Sequence, residues 1–193
     1  MILGELKSMV LPCLISLPII IFIRYLTYRK TKEFNLKREA LIVLFWMYIT
    51  ALLSVTFIPE RSNNEPFNAP LFHLPDFNDK NTVTFENPIG WTIWKINLGE
   101  WAEIVRNIAG NILVFIPYGF LVPIIWKKLK AKTILFGFLL SFFIEFSQLF
   151  MERQSDVYDL ILNTLGVAIG YLIYTIARKI KKSKSQSRCD NEG

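Results

Sequence analysis

The apolar residues of this chain do not recur at helical or strand period. They lie in five nearly unbroken blocks: Met9 to Ile23, Ala40 to Ile58, Ile108 to Trp126, Thr133 to Met151 and Val157 to Ala177. A helix rising ~1.5 Å per residue needs about 20 apolar residues to cross a ~30 Å hydrocarbon layer. Four blocks reach that length. The first does so when extended through Arg24, Tyr25 and Leu26, with the arginine stem carrying its charge to the interface. The pattern predicts an all-α polytopic membrane bundle with transmembrane helices at about 9–26, 40–58, 108–126, 133–151 and 157–177. Residues 1–178 then form one membrane domain and 179–193 a basic tail. Pro12 and Pro18 in the first span, and Pro117 and Pro123 in the third, predict kinks covered by neighbouring helices. The segment 59–106 reads as an outer loop. Near its end Trp91, Trp94, Leu98, Trp101 and Val105 recur at spacings of three and four. That is one stripe of an amphipathic helix at about 89–105, too polar to span and suited to lie in the interface.

Composition supports this frame. With 52% hydrophobic and 15% aromatic residues and a mean hydropathy of +0.35, the chain is no disulfide scaffold, disordered protein or ordinary soluble enzyme. Its two cysteines, Cys13 and Cys189, fall at different depths of a five-span arrangement and cannot bridge. Glu5 and Lys7 leave no basic excess before the first block and no cleavage site follows it, so that block reads as a retained span. The net charge of +6 is unevenly placed. Basic residues crowd the connectors 29–39 and 127–132 and the tail, all on one side of a five-span chain. Lys and Arg near span ends mark the cytoplasmic face, which predicts an N-out, C-in protein of the plasma membrane. The same rule accounts for the basic pI, so no nucleic-acid partner is expected; membrane lipids are.

The chemistry lies in polar residues within the apolar blocks. In the third block Asn107 and Asn111 are four apart, with Val114 and Tyr118 continuing their face. In the fourth, Gly137, Ser141, Glu145, Gln148 and Glu152 follow helical spacing; in the fifth, Asp156, Asp159, Asn163, Gly166 and Gly170 do the same. Small residues let backbones approach, so the faces carrying Gly137 with Ser141, and Gly166 with Gly170, should turn inward against each other. At ~1.5 Å per residue, Asn111, Glu145 and Asn163 come to about the same depth below the outer surface. Asn107, Asn111, Glu145, Gln148, Asp156, Asp159 and Asn163 should therefore line one outer-leaflet pocket, with Arg106 and Arg153 as counter-charges at its rim. Single amides often serve only as glue between helices. A carboxylate is costlier to insert, which singles out Glu145 and Asp159. Amides with arginines suit hydroxyls, sugars and phosphate. Paired acids such as Glu145, Asp156 and Asp159 could also act as general acid and base. No G-x-S-x-G, H-E-x-x-H, P-loop or C-x-x-C motif is present, the one histidine, His73, sits in the outer loop, and no metal or cofactor is expected.

These residues carry a resemblance. The run Asn107 to Pro123 (NIAGNILVFIPYGFLVP), Glu145 and Gln148 within SFFIEFSQLF, and Asp156 to Tyr171 (DVYDLILNTLGVAIGY) resemble the VanZ family of teicoplanin-resistance-like membrane proteins. Family motif positions map onto Asn107, Asn111, Pro117, Gly119, Glu145, Gln148, Asp156, Asp159, Asn163 and Gly166. The resemblance implies a multi-pass bacterial plasma-membrane protein, of Gram-positive cells especially, whose relatives lower susceptibility to glycopeptide antibiotics with lipid-like tails. It implies no mechanism. The leading expectation is a resistance factor that binds a lipid-linked envelope precursor, or the antibiotic's lipid portion, in the outer pocket. An integral membrane enzyme acting on a surface lipid through Glu145, Asp156 and Asp159 is the alternative, and a structural or partner-binding subunit is the third.

Overall fold

Helix-forming residues run through each apolar block, and the computed structural model places five α-helices there. It describes residues 2–31, 35–57, 83–84, 98–150 and 155–191. The helices are α1 (Ile2–Thr31), α2 (Leu36–Phe57), α3 (Leu98–Ile125), α4 (Thr133–Gln148) and α5 (Val157–Asn191), and a 3-10 segment, Lys127–Lys132, joins α3 to α4. The described chain is otherwise helical apart from a two-residue parallel pairing, Val83 with Ser155 and Thr84 with Asp156. Three helices are long and apolar enough to cross a membrane, over Val10–Arg29, Asn107–Ile125 and Val157–Lys184.

Three boundaries differ from the sequence expectation. The interfacial helix at about 89–105 is not a separate element: from Leu98 onward its residues belong to α3, which runs unbroken to Ile125, and 89–97 lie outside the described residues. No Pro or Gly falls between Trp101 and Ile108 to break the ladder. The fourth block, expected to be helical to Met151, closes at Gln148, giving 16 residues. The basic tail, by contrast, is helical to Asn191, since its Lys, Arg and Gln are good helix formers and no Gly or Pro falls between Gly170 and Gly193.

The chain forms two compact units, one of Met1–Thr84 with Phe143–Asp156 and the other of Phe85–Phe142 with Val157–Gly193. In the first, α1 and α2 make an antiparallel hairpin. Asn35 caps α2, its Oδ1 accepting from the Arg38 N–H at 3.2 Å. Ile42, Phe45, Ile49 and Leu52 form the buried face of α2. Near the turn, the Arg24 guanidinium donates to Glu39 twice, Nε to Oε2 at 2.6 Å and Nη2 to Oε1 at 2.7 Å. Those bonds hold the Glu39 carboxyl below the usual carboxylate range, against the opposing effect of burial.

In the second unit the helices meet backbone to backbone. A Cβ built on Gly166 would lie 2.3 Å from the Ile112 carbonyl oxygen, one on Gly170 2.2 Å from that of Ile116, and one on Gly119 2.0 Å from that of Val167. The contacts advance together along both helices, so α3 and α5 run parallel. The glycine pair of α5 thus faces α3, not the small-residue face of α4. On α4, Gly137 meets the Val167 side chain and Ser141 meets Asn163. Those pairs advance in opposite senses, so α4 runs antiparallel to α5. Large apolar residues of α4 and α5, Leu135, Phe142 and Leu172 among them, face outward, as a hydrocarbon solvent allows.

Two outcomes test this packing. Gly166→Ala and Gly119→Ala must force backbones apart and should each destabilise the detergent-solubilised protein by at least about 2 kcal/mol. Gly110→Ala, with nothing within 4 Å of the added carbon, should be neutral or stabilising by up to about 1 kcal/mol; equal thermal shifts for the three would contradict the register. For the hairpin, a carboxyl with a depressed folded pKa stabilises above its unfolded value, roughly pH 4, and that contribution disappears as pH falls through the folded value. The difference in melting temperature between wild type and Glu39→Gln should therefore be present at neutral pH and close in acid.

Candidate functional site

The glycine contacts fix the register of α3 against α5, and register decides which polar side chains meet. Asp159, in the first turn of α5, sits where the positive end of the helix dipole favours a carboxylate. Its Oδ1 accepts from the Asn111 Nδ2 of α3 at 2.5 Å. Both residues are half-buried. One turn further along α5, Asn163 is 4% exposed and its Nδ2 donates at 3.0 Å to the Oγ of Ser141, which is fully buried on α4. Three helices of one unit thereby contribute to a polar cluster of two bonded pairs about one helical turn apart.

One atom in it is unsatisfied. The Asn163 Oδ1 is buried with no hydrogen-bond partner among the described residues. An orphaned buried acceptor costs about 1–3 kcal/mol, so such a group calls for a donor from outside the protein, whether water or a ligand. The cluster can accept from a hydroxyl, amide or ammonium donor at Asn163 and present a carboxylate at Asp159. Among the described residues no three His, Cys, Asp or Glu gather to hold a metal ion.

The remaining candidates have varied placements. Glu145 is buried at 7% exposure and Gln148 is half-buried at the end of α4, both in the first unit. Asn107 is exposed on α3, and Val114, expected on the Asn111 face, is 44% exposed. The buried face of α3 is instead Phe115, Tyr118, Val122 and Ile125. Asp156 pairs through its backbone with Thr84; its side chain, that of Arg106 and all of Arg153 lie outside the described residues. Ser141 is the residue that sequence reasoning undervalued. Its hydroxyl at helical spacing from Glu145 is the signal in the sequence, beside its small size, which suits helix packing.

Residues 40–178 match the VanZ/LLP1 family. The chain belongs to that family. The match covers more than two thirds of the chain and reaches back through α2, well before the motifs that begin at Asn107. Every residue of the polar cluster falls inside it, whereas α1 and the basic tail fall outside. No curated protein and no solved structure matches the chain. Membership in the VanZ/LLP1 family, together with helices of spanning length, makes this a membrane protein.

Ser141→Ala removes the acceptor of a buried amide and should destabilise the protein by about 1–3 kcal/mol. Asn163→Leu with Ser141→Ala should cost less than the two single changes summed, because each single change strands the other partner. Additive thermal shifts in that cycle would show that the 3.0 Å contact contributes nothing.

Proposed function

We propose that the protein is a multi-pass plasma-membrane protein that lowers susceptibility to teicoplanin-type glycopeptides, by holding a lipid-linked envelope component or the antibiotic's lipid portion at the α3, α4 and α5 polar cluster. The observation that carries this reading is the buried, unpartnered Asn163 Oδ1 one turn from the Asp159 and Asn111 pair. Lipid-linked precursors and lipoglycopeptides join an acyl portion to sugar hydroxyls and amides, the donors such an acceptor takes. Family membership supports the resistance context.

Topology supports a multi-pass arrangement. If α3 and α5 both cross the bilayer, their parallel directions require a return between them, and α4 runs the opposite way. At ~1.5 Å per residue α4 covers roughly 24 Å, a short crossing that the 3-10 segment before it lengthens. With the α1 and α2 hairpin this makes five crossings. The basic connectors fall on the cytoplasmic side and the polar cluster in the outer leaflet.

The test is teicoplanin susceptibility of a sensitive Gram-positive host expressing wild type, Asp159→Asn or Asn163→Leu, with membrane abundance checked by blot. Wild type should raise the inhibitory concentration several-fold, and equally abundant variants should lose most of that protection. Equal protection by all three would remove the cluster from the function. No protection by wild type would remove the resistance reading itself.

A further inference from the structure

At the opposite end of the second unit, a cleft of about 700 Å³ opens between the end of α3, the 3-10 segment and α5. That volume lies within the roughly 300–1,000 Å³ usual for small-molecule sites. Its walls are two matching stripes. On the α3 side, Phe120, Ile124 and Lys127 succeed one another at spacings of four and three; on α5, Tyr174, Arg178 and Lys181 do the same. The helices run parallel, so both stripes change from apolar or aromatic to cationic in the same direction, over about 10 Å of rise. A fourth cation, Lys130, lies with its Nζ 5.8 Å from the centre of the Tyr174 ring, in cation–π range. No acidic residue lines the cleft. Among the described residues none of the four cations is in an ion pair, whereas Arg24 elsewhere has its Glu39.

Four cations outside any ion pair around a half-apolar cleft suit an anion that carries its own apolar part. We propose that this cleft binds one anionic phospholipid, its phosphodiester held by Lys127, Lys130, Arg178 and Lys181 and the start of an acyl chain lying along Phe120, Ile124 and Tyr174. Inorganic phosphate shares the anionic chemistry but leaves the apolar half of the cleft unoccupied. Basic residues beside span ends belong to the cytoplasmic face, where anionic lipids are exposed, so the ligand is at hand in that leaflet. The site is distinct from the polar cluster and stands without the resistance reading.

The experiment titrates the detergent-purified full chain with phosphatidylglycerol, with phosphatidylcholine of the same acyl chains, and with inorganic phosphate, counting bound molecules by native mass spectrometry. Wild type should retain one phosphatidylglycerol in preference to phosphatidylcholine. Lys127→Gln with Lys130→Gln should weaken that binding roughly 30-fold. The same two positions changed to Arg should retain it, as should Lys179→Gln with Lys182→Gln, which removes equal charge from exposed residues outside the cleft. Should the double Gln variant aggregate on size exclusion, the single changes Lys127→Gln and Arg178→Gln report instead, each with a smaller loss. Equal retention of both lipids, or equal loss in the Lys179 and Lys182 control, would overturn the site. Displacement of phosphatidylglycerol by an equal concentration of inorganic phosphate would overturn its assignment to a lipid.

Discussion

The second unit depends on backbone-to-backbone contact between α3 and α5. Inside a bilayer the lipid tails are as apolar as leucine, so burial of apolar side chains gives little drive for helices to associate. Close approach does the work instead, through many dispersion contacts and weak Cα–H to carbonyl interactions. At Gly119, Gly166 and Gly170 a facing carbonyl oxygen occupies the space of a Cβ, so these positions admit no other residue without a shift of backbone. The carbonyls they meet on α3, Ile112 and Ile116, are four residues apart, as are Gly166 and Gly170. A slide of even one residue along the axis would break both contacts at once.

The polar chemistry follows from that register. Asn111 reaches Asp159 because the glycines about two and three turns further along α5 fix the relative height of the helices. Asn163 reaches Ser141 because Gly137 lets α4 settle against Val167. Small and polar residues, Ser141 and Asn163 among them, are therefore buried beside the apolar face of α3, while Phe138, Phe142, Leu165 and Leu172 are outside. A carboxylate and two amides in helices of this kind are costly to insert and could be replaced by apolar residues without loss of shape. Their retention in a bonded cluster with one open acceptor is what gives the unit a chemical character beyond packing.

The unit is also polar in the axial sense. From Asp159 to Lys181 along α5 the rise is roughly 33 Å, close to the thickness of a hydrocarbon layer. A carboxylate and amide cluster occupies one end and a cationic cleft the other. The same helix pair thus offers acceptors and a negative charge at one end and cations outside any ion pair at the other, with apolar surface between.

Much of this was legible in the residues. Unbroken apolar blocks require membrane helices whatever the fold, because no soluble core needs them, and helical spacing alone put Asp159 with Asn163, and Gly166 with Gly170, on one face of α5. Family likeness was readable from motifs after Asn107, since spacing within a helix is a local property. Other features were not local. That Leu98 to Asn107 continues as one helix into the span depended on the absence of a break, which an aromatic stripe does not reveal. That Arg24 pairs with Glu39 depended on the hairpin that brings the two together. Ser141 looked like a packing residue, and Val114 like part of a polar face. Which glycine meets which carbonyl, and so which amide meets which acid, is set by the axial offset of one helix against another. Residue spacing within a single helix has no access to that offset, so tertiary packing alone decided it.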